Sequence, residues 1–286
     1  MSVRLQTTTV SQARVQLFQP TRRPAHCIRE IATSWGKGTI TGKLGQTHAD
    51  YVEAVHYNAK HWERIDGGGL RVLVDPYRVR TSMSEGGKFS GGQAEAIADD
   101  LMRALVHLTI DVPEGPPLKF RGALISSIAD SLHRVPNPLG KGSDRPLHVV
   151  TFSPAYASLL DVDLPLNHDP RPFSRLRTGI AAAVARHVYS HQLEPRGGWK
   201  LDNLIAAVGA ARSRDAVRER RRDLREEDEV AALATLGVFV CGDRVFCDRR
   251  GASAPLRGAS ARRRGLSAPA VEHPPLGGRI IQALQA

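Results

Sequence analysis

Arg212-Ser-Arg-Asp-Ala-Val-Arg-Glu-Arg-Arg-Arg-Asp-Leu-Arg225 is the stretch on which the reading of this chain turns. It sets seven arginines against Asp215, Glu219 and Asp223, a local balance of +4. On a helix advancing about 100° per residue, Arg214, Arg218, Arg221, Arg222 and Arg225 share an arc of roughly 100°. Val217, Leu224 and Ala231 form a narrow apolar stripe about a quarter turn away, and the acids fall on the far side of the arginine arc. Such a helix offers one line to a core and a guanidinium face to an anion. The plainer alternative is a solvated helix held by ion pairs, Arg218 with Asp215 and Arg222 and Arg225 with Glu226 and Glu229.

The flanks favour the anion. After the basic helix comes Gly237-Val-Phe-Val-Cys-Gly-Asp-Arg-Val-Phe-Cys247, two β-branched and aromatic runs around Gly242-Asp243, a pair suited to a tight hairpin turn. Before it comes Trp199-Lys-Leu-Asp-Asn-Leu-Ile-Ala-Ala-Val-Gly209, an amphipathic helix with Leu201, Leu204, Ile205 and Val208 on one face. Helix, turn, basic helix and hairpin is the order of a winged helix-turn-helix, in which the second helix enters the major groove of DNA. Arginine suits both phosphates and guanine edges. The candidate DNA-binding residues are therefore Arg212, Arg214, Arg218, Arg221, Arg222 and Arg225, with Lys200 and Arg244 beside them.

Composition agrees with a polyanionic partner. Hydrophobic residues at 41% and charged residues at 24% are ordinary for a globular chain, whereas a net charge of +11 and a pI near 10.1 are not. No apolar run of about 18 residues is present, and the N-terminus has no apolar core of a signal peptide, so a cytoplasmic protein without a membrane partner is expected. Three cysteines, Cys27, Cys241 and Cys247, make no secreted framework. Cys241 and Cys247 are expected on facing hairpin strands as a reduced pair.

Taken in order, residues 1–33 show no sustained periodicity and are expected to form a flexible arm. Gly36, Lys37, Gly38, Gly42 and Lys43 tempt a phosphate-loop reading, but Lys37 stands five before Gly42 and Leu44 follows Lys43, so the spacing fails. A strand at Thr39-Ile-Thr41 is predicted instead. Thr47 and Asp50 are expected to cap a helix reaching Trp62, with Val52, Val55, Ala59 and Trp62 inward. A strand over Leu70–Val74 follows, then Asp75-Pro76 opening a short helix to Met83. Ser90-Gly-Gly-Gln93 reads as a capping box for a long helix with Ala94, Ile97, Leu101, Leu105 and Leu108 inward. Runs 119–128 and 147–152 are predicted as paired strands around a basic loop (Arg134, Lys141, Arg145).

Pro154, Pro165, Pro170 and Pro172 mark residues 154–172 as a linker, and a helix is expected from Phe173 to His191. Both halves thus give helices followed by a hairpin. The predicted fold is α+β, two tandem winged-helix domains over 34–153 and 173–247. Residues 248–286 carry seven arginines against Asp248 and Glu272. They are too poor in large apolar side chains to order themselves, and form either a disordered basic tail with phosphate affinity or an inert one.

Catalytic chemistry is not indicated. His187 and His191 stand at i and i+4 as a metal pair would, but no glutamate follows the first and no third ligand is evident. The His-apolar-His triplet of nicking enzymes, a nucleophile elbow and a CxxC pair do not occur. A binder without metal or cofactor is expected.

In this combination the chain resembles the replication initiator (Rep) proteins of theta-replicating plasmids, of the TrfA type. The resemblance is carried by Gly42-Lys-Leu-Gly-Gln-Thr-His-Ala-Asp-Tyr-Val-Glu-Ala-Val-His56, Val72-Leu-Val-Asp-Pro-Tyr-Arg-Val79, Asp99-Asp-Leu-Met-Arg-Ala-Leu105 and Pro146-Leu-His-Val-Val-Thr-Phe-Ser153. In the second half it is carried by Ala185-Arg-His-Val-Tyr-Ser-His191 and Gly197-Gly-Trp-Lys-Leu-Asp202. It implies tandem winged helices gripping origin repeats, with Arg214, Arg218, Arg221, Arg222 and Arg225 as the second domain's reading face and Arg103 as a candidate in the first. It also implies homodimerisation through the first domain and partners in the host replicative helicase or initiator machinery. The acids Glu95, Asp99 and Asp100 around Arg103 depart from that pattern and point the first domain towards backbone contacts or dimerisation. A winged-helix transcriptional regulator acting at an operator near its own gene is the alternative.

Overall fold

Asp75 and Ser90 show how local chemistry sets the elements. The Asp75 carboxylate accepts the Tyr77 N–H at 3.0 Å ahead of Pro76 at the first helical position, and Ser90 and Gln93 exchange reciprocal capping bonds of 3.2 and 2.8 Å. Both helices start where the sequence predicts. The structure is a computed structural model that describes residues 5–84, 89–111, 116–137, 140, 142–211 and 213–248. Arg212, Lys141 and residues 249–286, and with them the expectation of a basic tail, lie outside the described residues.

In chain order the elements begin with β1 (Thr8–Thr9), α1 (Val10–Arg14), β2 (Cys27–Thr33), β3 (Gly36–Gly42) and α2 (Gln46–Tyr57). Next come β4 (Ala59–Arg64), β5 (Leu70–Val74), α3 (Pro76–Met83), α4 (Gly91–Arg103), β6 (Leu105–Ile110) and β7 (Leu118–Gly122). β8 (Ile125–Val135), β9 (Arg145–Phe152), α5 (Pro154–Val162), β10 (Pro165–Leu166), α6 (Arg171–Arg175) and α7 (Gly179–Tyr189) follow. The described chain closes with β11 (Trp199–Lys200), α8 (Leu201–Ala207), α9 (Arg214–Asp223), α10 (Glu227–Thr235), β12 (Val238–Cys241) and β13 (Arg244–Cys247).

The fold is mixed α and β, with antiparallel strand pairing throughout these elements. Two four-stranded sheets, ordered β2-β3-β6-β7 and β4-β5-β9-β8, belong to the first part, and a three-stranded sheet, β11-β13-β12, to the second. One hydrophobic core spans Leu5 to Leu160 and another Phe173 to Val245, and both lie in one compact unit. One ordering recurs: β5 stands beside β9, the later strand of the β8-β9 hairpin, as β11 stands beside β13. The halves are not copies, since the first adds β4 and a whole second sheet.

Several expectations are corrected. Residues 5–33 are no loose arm: Val15, Leu17 and Phe18 are buried, and the segment runs between the two cores. There Arg14 donates to the Ser190 hydroxyl at 2.8 Å and carbonyl at 2.7 Å, Gln16 to the Ala207 carbonyl at 2.9 Å, and Arg22 to the carbonyls of Leu176 and Phe173 at 2.8 Å each. Periodicity misses such a strap because its apolar residues join the first core outside any long regular element, while its polar side chains bond to the second part. A methyl group on Gly179 would lie 2.2 Å from the Thr21 backbone, so α7 needs a glycine where the strap crosses it.

Thr47 and Asp50 do not cap α2. The Thr47 hydroxyl donates to the Arg22 carbonyl at 2.9 Å, while the His48 ring takes the N-cap role, accepting the Gly45 N–H at 3.1 Å. α2 stops at Tyr57, where Asn58 turns its amide onto the Ala54 carbonyl at 2.8 Å, so Ala59 and Trp62 sit on β4 instead. Leu105 and Leu108 belong to β6, because Ala104 is extended and the chain pairs with β3. The 119–128 run divides, with β7 pairing to β6 and only β8 pairing to β9. The expected linker contains α5, whose Tyr156, Leu159 and Leu160 are buried, with Pro154 serving as a helix opener. The helix from Phe173 breaks into α6 and α7 at Arg177-Thr178, where the buried Glu229 carboxylate accepts both N–H groups at 3.0 and 3.1 Å.

The cores are also joined by charge. Every residue of α7 is buried, including Arg186. Its guanidinium donates to both Glu53 oxygens at 2.8 Å, to Asp50 at 2.6 Å and to Gln46 at 2.8 Å, all on α2. Arg22 pairs with the other Asp50 oxygen, and His168 stands 3.4 Å from Glu53. Burial alone would raise the Glu53 pKa, but Arg186 and His168 outweigh it and bring it to about 2.

Breaking a buried pair strands its partner charge. Arg186→Leu is therefore expected to lower the unfolding free energy by about 3–5 kcal/mol in urea titrations, without changing the oligomeric state. Burial also pushes the His56 pKa from about 6.5 down to about 4. The unfolded chain then binds protons first as pH falls, so stability present above 6.5 is lost towards 4, at up to about 1.4 kcal/mol per pH unit for this group. His56→Phe, which keeps an aromatic ring against Phe152 and Tyr156, is expected to flatten the urea midpoint across that window.

Candidate nucleic-acid interface

Ser213 starts the basic helix by accepting the Ala216 N–H at 3.1 Å, and Arg220, Arg221 and Arg222 close it where cations suit the helix dipole. No residue of α9 is buried. It is seated by partly buried Val217 and by fully buried Leu224 just beyond its end, against α8 and α7. The chain turns at Leu224 and begins α10 at Glu227, so Ala231 is exposed on another helix and does not extend the apolar stripe.

The arginine arc divides into two kinds. Arg221 forks onto Asp202 in the first turn of α8, with Nε donating to Oδ1 at 2.6 Å and Nη2 to Oδ2. That hydrogen bond holds the Asp202 carboxyl below its usual range and raises Arg221. Arg225 donates to the Asp243 carboxylate at 2.7 Å and the Gly242 carbonyl at 2.9 Å, in the turn of the β12-β13 hairpin. These two arginines tie α9 to its neighbours on both sides. The expected pairing of Arg225 with Glu229 does not form, because Glu229 caps α7.

Arg214, Arg218 and Arg222 are different. They stand at i, i+4 and i+8, an arc of about 80° on a helix, and all three are exposed. Arg218 is 85% exposed and its contact to Asp215, itself 92% exposed, is 3.6 Å long. An exposed pair of that kind has little hold. Arg220 lies off the row and bonds Asp223 at 2.9 Å.

Beside α9, Lys200 and Arg244 face each other directly across β11 and β13, both exposed. Like charges opposed in a sheet destabilise it, and Arg244 turns Nη1 to the Gly198 carbonyl at 3.4 Å. Gly242, with φ of 57°, allows the two-residue loop that brings Arg244 there. Arg103 stands apart, exposed on the last turn of α4 and bonded to Asp99 at 3.1 Å. Asp202 and Asp243 are the site residues that the sequence reading missed. An acid in a helix's first turn and an acid in a hairpin turn carry ordinary local explanations, and only the fold sets them against Arg221 and Arg225.

Comparison with known proteins adds little. No family model matches the chain, and no curated protein matches it. Among solved structures, selenomethionine derivatives of domains 2 and 3 of RctB are similar to it at 14% identity and a TM-score of 0.41, over 76% of this chain and 84% of that one. A likeness at that level carries no argument about fold or function.

Other chemistry is sparse. His187 and His191 bring ring nitrogens to 3.3 Å, and no group of three or more His, Cys, Asp and Glu that could hold a metal occurs among the described residues. Cys241 faces Arg244 and Cys247 faces Val238, so the hairpin register separates the two thiols. Among the described residues no helix is long and apolar enough to cross a membrane.

The exposed row makes a clear demand. Arg218→Ala with Arg222→Ala is expected to remove specific duplex binding while leaving the thermal unfolding midpoint within about 2 °C, since surface changes of this kind shift stability by about 0.5 kcal/mol or less. Gel-shift titration beside a melting curve checks both halves of the statement.

Proposed function

We propose that this chain is a sequence-specific double-stranded DNA-binding protein that initiates plasmid DNA replication by binding repeats at an origin and recruiting host replication machinery. The observation that carries the DNA-binding part is the exposed row Arg214, Arg218, Arg222 on α9, a helix seated against α8 and α7. A helix held in this way can enter a major groove with its arginines towards phosphates and guanine edges. The strand order β11-β13-β12, with α8, α9 and α10 between the first strand and the hairpin, supports this reading, since a winged helix-turn-helix likewise ends its helices in a hairpin. The recurrence of β5 beside β9 in the first half supports a tandem arrangement, two reading units in one chain.

Initiation is the extension of that reading. Two units in one polypeptide suit direct repeats, and the resemblance to Rep proteins noted in the sequence favours an origin over an operator. On this proposal the chain binds without catalysis, metal or cofactor, and DNA deformation draws on binding free energy. Its protein partners are the host replicative helicase or initiator proteins, and a second copy of the chain through the first half.

The test is a footprint of the purified chain on the DNA flanking its own gene, at near-physiological salt. Several evenly phased protected segments are expected. One symmetric segment replaces the initiator with a transcriptional regulator, and protection that fades uniformly as salt rises removes sequence specificity altogether.

A further inference from the structure

We infer that Asp202 and Asp243 are positioning residues that withhold Arg221 and Arg225 from DNA phosphate and thereby set the selectivity of the α9 surface. The inference rests on the DNA-binding reading of α9 and deepens it.

Of the five arginines expected on one arc, Arg214, Arg218, Arg221 and Arg222 stand on α9 and Arg225 just past its C-cap, and two of the five meet carboxylates delivered from other elements. Asp202 comes from α8 and engages Arg221 through both oxygens; Asp243 comes from the hairpin turn and shares Arg225 with the Gly242 carbonyl. The four side chains are 36–73% exposed, so neither pair stabilises the fold appreciably. Their effect lies elsewhere. The Arg221 pair joins the last turn of α9 to α8 and the Arg225 pair joins the following turn to the hairpin, while the row Arg214, Arg218, Arg222 stays exposed.

Each pair also neutralises a cation that would otherwise serve any duplex equally. Phosphate contacts supply sequence-independent affinity, and each one adds about 0.9 to the slope of log K against log salt. A surface that offers every arginine to phosphate binds all DNA tightly and discriminates poorly, because specificity is a difference between affinities. Two arginines held by carboxylates cost general affinity and leave the difference between right and wrong sites larger.

The test uses the full chain, a random-sequence 30-base-pair duplex and the footprinted site, titrated between 50 and 200 mM salt. Asp202→Asn and Asp243→Asn are each expected to steepen the slope on the random duplex by up to about 0.9 and to lower the ratio of specific to random affinity. Arg221→Gln is expected to leave the slope unchanged, whereas Arg222→Gln flattens it by about 0.9. Asp66→Asn, in an exposed turn of the first half, adds the same net charge and is expected to leave the slope alone. Asn at 243 keeps a turn-forming side chain, so at least one carboxylate variant retains the local fold. Arg221→Gln flattening the slope as Arg222→Gln does, or both Asp variants behaving like the unchanged chain, overturns the inference while DNA binding stands. An unchanged chain with no affinity for either duplex overturns the DNA-binding reading itself.

Discussion

Arg186 is the constraint on which the rest of the molecule depends. A guanidinium removed from water costs several kcal/mol unless its donors are met, and here four bonds to Gln46, Asp50 and Glu53 meet them. Two carboxylates on α2 in turn require two cations, and Arg22 from the amino-terminal strap supplies the second. Three pieces of chain distant in sequence are thus tied by charge balance. Removing α2 or α7 leaves an unpaired ion in a dry place, and removing the strap leaves one guanidinium to serve two carboxylates, so the arrangement favours one mutual placement of the three.

Because α7 is fixed in this way, what packs on it is fixed too. Leu224 and Val217 seat α9, Glu229 returns from α10 to cap α7, and Tyr189 donates to the Leu236 carbonyl at 2.6 Å ahead of the hairpin. The exposed arginine row stands at the end of that chain of contacts. On the proposed DNA-binding reading, rigid support matters there because a held helix can present side chains to base edges in register.

The sequence was most legible where one short stretch determines its own structure. Asp75-Pro76 and Ser90 with Gln93 carry their capping bonds locally, and Gly242-Asp243 carries its own turn. The exposed row of the candidate site was legible for the same reason, since Arg214, Arg218 and Arg222 need only helical spacing to share a face. Where partners come from afar the sequence was silent. Ala59 to Trp62 continue a helical pattern but pair with β5, and Leu105 and Leu108 do the same with β3, because a strand's neighbour is not written in its own period. Arg186 lies in an Ala-rich helix where a cation suggests a solvent face, and Asp202 and Asp243 reveal their targets only once α8, α9 and the hairpin are assembled.

The strap between the cores also orders events during synthesis. Arg14 meets Ser190 across 176 residues of chain and Gln16 meets Ala207 across 191. These side chains leave the ribosome long before their partners exist, and closing such distant contacts is slow. Val15 and Leu17 can join the first core as it gathers around α2 and its sheets, while Arg14 and Gln16 wait for α7 and α8. The polar ties of the strap are therefore among the last contacts to close, and a nascent chain stalled before α7 leaves Asp50 and Glu53 without the guanidinium of Arg186.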